Sequence, residues 1–204
     1  MIEGAASVIE ARVQEAGGKP KEETIANRAA RIDREIKNEE ARNKFLNSDD
    51  GVKAARQEAN QLFCELEQLR NSVTEPTDIN FETHKFGMHE VKIEYGLHLY
   101  SSGLTLTHCW YNKYSNTLDD SGLYVRIWQG KRGFPHIINF EDPVKLHESI
   151  FDFDMIGESK YGWRERTNPR RFYTSKELAD SNMKLFLDKI RDAQIEGLGP
   201  AISS

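Results

Sequence analysis

Residues Val91 to Tyr111, VKIEYGLHLYSSGLTLTHCWY, read as two strands joined by a turn, and that reading decides the fold class. Val91, Ile93, Tyr95, Leu97 and Leu99 alternate with Lys92, Glu94, Gly96 and His98, so one side of the first strand is apolar and the other is wet. Tyr100, Ser101, Ser102 and Gly103 supply the turn. The second strand puts Leu104, Leu106, His108 and Trp110 on one face and Thr105, Thr107, Cys109 and Tyr111 on the other. A loop of even length sets Leu99 against Leu104 and Leu97 against Leu106, whereas an odd loop sets Leu99 against Thr105. The apolar pattern selects the even register.

Working outward, Ile79, Phe81 and Phe86 mark a short strand before this hairpin. After it, Leu123, Val125 and Ile127 alternate with Tyr124, Arg126 and Trp128. His136 to Phe140 reads as a short strand, and Ile150 to Ile156 as another, with Phe151, Phe153 and Met155 opposite Asp152 and Asp154. Tyr161 to Arg166 is a last strand before Asn168 and Pro169 interrupt it. Thr174 with Glu177 three residues on is a capping box that starts a helix, and Ala179, Met183, Phe186, Leu187 and Ile190 give that helix an apolar face broad enough for a sheet.

The N-terminal part has helical periodicity instead. Ile2, Ala5, Ala6, Ile9 and Val13 make a short amphipathic segment ended by Gly17, Gly18 and Pro20. Ile25, Ala29, Ile32 and Ile36 form a narrow seam on a charged helix, and Asn47 to Gly51 break the chain direction. Val52, Ala55, Ala59, Leu62, Leu66, Leu69 and Val73 then alternate steps of three and four without a miss. The simplest cover for this seam is the preceding helix, folded back as an antiparallel hairpin.

The expected architecture is therefore α+β: a coiled-coil-like N-terminal helical hairpin, then a mostly antiparallel sheet of five or six strands covered by a C-terminal helix. The expected division is a helical arm over 1–75 and a sheet domain over 76–204, with Thr74 to Asp78 as linker.

Composition narrows function by exclusion. A net charge of −5 over 204 residues argues against coating of nucleic acid or anionic membrane along the whole surface, while leaving room for a local basic patch. No apolar run approaches the roughly 20 residues that span a bilayer, and the N-terminus shows no secretion-signal pattern, so a cytoplasmic protein with reduced Cys64 and Cys109 is expected.

No catalytic constellation nominates itself, and neither a metal nor a cofactor is expected. The six histidines, His84, His89, His98, His108, His136 and His147, lie in the sheet half but lack metal-ligand spacing. Cys109 and His108 are consecutive on a strand and point to opposite faces, so they do not make a nucleophile and base. Asp152 and Asp154 share a face at roughly 7 Å, which suits a divalent cation, a glycosidic bond or, more simply, the solvated side of a half-buried strand.

The most unusual run is Lys160 to Tyr173, in which cations interleave with aromatics. Trp163, Arg164, Arg166, Arg170 and Arg171 are its candidate binding residues for nucleic acid or phosphate, with pairing to Asp152, Asp154 or the helical arm as the structural alternative. The reading this supports first is a protein-interaction or assembly module acting through the helical arm, by self-association or a protein partner, with the unbroken seam Val52 to Val73 as its interaction surface and a sheet-based binding surface beside it. A nucleic-acid-binding accessory role stands second and an enzyme third.

Overall fold

The computed structural model describes residues 24–73, 81–87, 93–113, 117–118, 121–130, 144–156 and 160–195. The early segment around Ile9, the linker 74–78, Ile79, and the strand expected at 136–140 lie outside the described residues. Two compact units are distinguished, Met1–Ala41 and Arg42–Ser204.

In order, the elements are α1 (Ile25–Leu46), α2 (Asp49–Ser72), β1 (Glu82–Phe86), β2 (Ile93–Ser101), β3 (Leu104–Asn112), β4 (Gly122–Gln129), β5 (Lys145–Ile156), β6 (Lys160–Glu165), β7 (Phe172–Tyr173) and α3 (Ser175–Ile195). The class is α+β, as the periodicities require. The seven strands form one antiparallel meander in the order β1-β2-β3-β4-β5-β6-β7, one or two more than the sequence suggested. The additional strand β7 is two residues long, too short for alternation to announce it.

The β2–β3 hairpin keeps the even parity but is tighter than expected. Ser102 (φ 50°) and Gly103 (φ 78°) form a two-residue turn with both central residues in the left-handed region. Ser101 therefore faces Leu104, Leu99 faces Leu106, Leu97 faces His108 and Tyr95 faces Trp110. This is a slip of two residues from the expected register, which leaves every side chain on its expected face.

The apolar face of the sheet is covered by α2 and α3. Leu97, Leu99, Leu106, Trp110, Leu123, Val125, Ile127, Phe153 and Trp163 are all buried beneath Ala55, Ala59, Leu62, Phe63 and Leu66 of α2 and Leu178, Met183, Phe186 and Ile190 of α3. Each such aliphatic side chain removed from water contributes about 1.5–3 kcal/mol gross, so this layer dominates the stability of the second unit. Polar ties fix its geometry. Tyr95 Oη donates to the Arg56 carbonyl at 2.7 Å, Trp163 Nε1 donates to Ser175 Oγ at 3.0 Å, and Ser175 Oγ lies 2.6 Å from Glu58 Oε2.

Helix ends follow their local chemistry. Ser48 caps α2, its Oγ accepting from Gly51 N–H at 3.2 Å, and Asp49 and Asp50 occupy the first turn, where the helix dipole favours them. Gly51 is required because a Cβ there would lie 2.3 Å from the Phe45 carbonyl oxygen. The capping box of α3 forms as read: Thr174 N–H donates to Glu177 Oε2 at 2.8 Å and Glu177 N–H to Thr174 Oγ1 at 3.3 Å.

α1 differs from the other two helices in burying none of its residues. It is one continuous helix, and its last residues, from Arg42, belong to the second unit.

Candidate functional site

The seam Val52, Ala55, Ala59, Leu62, Leu66, Leu69 and Val73 lies in the core of the second unit. The first five side chains are 0–2% exposed, and Leu69 and Val73 pack against them. The side chains that cover the seam come from α3 and the sheet. Phe63, outside the a/d positions yet buried, makes edge contact with the Tyr95 ring at 5.7 Å, which widens the seam into a face suited to a sheet.

The seam of α1 is in the opposite condition. Ile25, Ile32 and Ile36 are 89%, 44% and 52% exposed, and Ala29 between them is exposed as well. Around them the helix is tied by its own charges, Arg31 to Glu35 at 3.0 Å and Lys37 to Asp33 at 2.9 Å, each one turn apart.

Of the five basic-run residues, Trp163 is fully buried, its indole N–H bound to Ser175. Arg164 pairs through Nε with Asp154 Oδ2, donates to the Pro169 carbonyl and lies over the Phe172 ring. Arg166 binds both oxygens of Asp152 and also donates to the Ser121 carbonyl at 3.1 Å; the Asp152 hydrogen bond raises its pKa. Arg170 is exposed, and Arg171, also exposed, stands 3.8 Å from Glu165. The arrangement thus brings Arg164 and Arg166 to the two aspartates of β5 and leaves Arg170 and Arg171 on the turn beyond.

Asp154 is not the solvated carboxylate that its alternation with Phe153 and Met155 suggests. Its side chain is 1% exposed and receives Arg42 Nε at 2.6 Å, Arg164 Nε and the Met155 N–H at 2.7 Å. Burial alone would raise its pKa, but these donors outweigh it and the pKa is lowered. No local pattern marks this cluster, because Arg42 is more than a hundred positions from Asp154 and meets it only in the fold. Nearby, Phe45 stacks on Tyr161 at 5.5 Å and fixes the end of α1 beside β6.

On the sheet face away from the helices, Tyr111, Lys113, Ser121, Tyr124 and Arg166 line a polar cleft of ≈ 550 Å³. Tyr124 also carries Arg126 over its ring at 4.7 Å. Two phenols beside cations can hydrogen-bond an anion, but the Arg166 charge is already met by Asp152. The alternation of Tyr111 and Tyr124 away from the core was the signal for this cleft.

His98 and His108 sit on opposite faces, His98 Nδ1 at 2.9 Å from Thr107 Oγ1 and His108 Nε2 at 2.9 Å from Asn182 Nδ2. His108 is wholly buried, and burial, reinforced by the charge of His98, pushes its pKa down to about 3. Its Nδ1 has no partner among the described residues. Neither Cys64 nor Cys109 is in a disulfide; Cys109 is buried and its Sγ lies 3.6 Å from Glu94 Oε1. Among the described residues there is no group of three His, Cys, Asp or Glu side chains that could hold a metal ion, and no helix is long and apolar enough to cross a membrane.

No protein-family model, curated protein or solved structure matches the chain.

Proposed function

We propose that the protein is an interaction module whose contact element is α1. The observation that carries this reading is the exposed seam Ile25, Ala29, Ile32 and Ile36 on an otherwise charged helix. Single exposed isoleucines are ordinary on protein surfaces, but an a/d-spaced set on one helix is the pattern that a second helix covers. The seam of α2 is engaged within its own core, so the interaction role attaches to α1 alone. Compensation of Arg164 and Arg166 by Asp154 and Asp152 speaks against a nucleic-acid role for the basic run.

The test places a photo-crosslinking side chain at position 32 of the full chain in the cells that make it. A discrete protein adduct that disappears when Ile36 is changed to Asp supports the reading. No adduct beyond that obtained from exposed position 184 on α3 overturns it.

A further inference from the structure

We infer that the exposed seam of α1 receives a second copy of the same helix, running antiparallel in one register. The inference rests on the reading of α1 as the contact element and names its partner. Steps of four, three and four from Ile25 to Ile36 alternate between the two core positions of a heptad and cover about 17 Å of helix. With two copies antiparallel and Ile25 opposite Ile36, Ala29 falls opposite Ile32. Four successive layers are then filled by apolar side chains from both helices.

The flanking charges choose this register. Arg28 lies alongside Glu35 of the second copy, and two-fold symmetry repeats the contact, giving two opposite-charge pairs beside the seam. Glu35 receives Arg31 from its own helix through Oε1 at 3.0 Å. A parallel pair instead sets Arg28 beside Asp33 of the second copy but also Glu35 beside Glu40 and Glu39, at a core position, against its own equivalent, so its attraction is offset where that of the antiparallel pair is not. Sliding the antiparallel pair to the next layer sets Ala29 against Glu39, Ile25 against Asn43 and Glu35 against Glu35. After Ile36 the next core position of the helix is Glu39, so the seam stops there and the pairing is weak and reversible.

The experiment is sedimentation velocity of the full chain over a concentration series at low salt, with helicity checked by circular dichroism for each variant. The expected result is a monomer–dimer equilibrium whose association constant falls at least about tenfold in Ile32→Asp. Arg28→Glu and Glu35→Arg each weaken association by about tenfold, because two contacts change sign in every dimer, and the double variant restores it. Tighter association of Glu35→Arg alone would overturn the antiparallel register, since it relieves the Glu35–Glu40 contact of a parallel pair. A chain that stays monomeric throughout overturns the second copy as partner, including the case in which residues 2–13 of the same chain cover the seam. A position-32 adduct with a different protein would then leave the interaction reading standing, and its absence would remove both.

Discussion

Asp154 and His108 are both buried, and both weaken the fold as the solution turns acid, but in different ranges. The folded His108 resists protonation down to about 3, whereas the unfolded residue takes a proton near 6.5, so its contribution is complete above about 6.5 and is lost progressively as pH falls. Each pH unit inside that window costs about 1.4 kcal/mol. Urea unfolding at pH 7 and pH 5 is expected to differ by about 2 kcal/mol, and His108→Gln to remove most of the difference. Asp154 has a lowered pKa, so its contribution is held above its ordinary value of 3.8 and lost only as pH falls through the lower folded value. Asp154→Ala leaves Arg42 and Arg164 without their shared carboxylate. A loss of about 3 kcal/mol is expected in urea unfolding, at the low end for a broken buried pair because the two guanidiniums are 32% and 30% exposed. The sequence offered Asp154 as a partner for the arginines of the basic run, and pairing with Arg164 is what forms, but it gave no sign of the burial of either residue or of Arg42 as the second partner. Strand alternation sorts side chains by face, but it does not say that an arginine from a distant helix will close over one of them.

At the scale of elements, periodicity named the helices and strands and was silent about their partners. The a/d pattern of α2 is satisfied equally by a second coiled-coil helix and by a sheet with α3 beside it, and Phe63, buried next to Leu62, is the residue that tells them apart. The same silence hid the hairpin register: Leu99 opposite Leu104 or Leu106 keeps every side chain on the right face, and only the left-handed Ser102 and Gly103 choose between them. Because the α2 seam is internal, Leu66→Ala is expected to lower stability by about 2–5 kcal/mol without making unfolding depend on protein concentration. Gly51→Ala, which drives a Cβ into the Phe45 carbonyl, is expected to destabilise the join between α1 and α2, visible as a lower thermal midpoint with the secondary structure of the sheet retained at low temperature.

Over the whole molecule, the two apolar seams of the N-terminal half have opposite fates, and that contrast carries the functional account. One is the floor of a core roofed by a seven-stranded sheet; the other, from Ile25 to Ile36, is open. Hydrogen–deuterium exchange of the full chain at low and high protein concentration compares them in a single experiment. The account predicts that amides of α2 between Val52 and Leu66 are protected to the same degree at both concentrations, while those between Ile25 and Ala41 exchange quickly in dilute solution and gain protection as the chain is concentrated. Equal protection of the Ile25–Ala41 amides at both concentrations would contradict it: equally high, the seam is covered within a single chain; equally low, no second copy covers it.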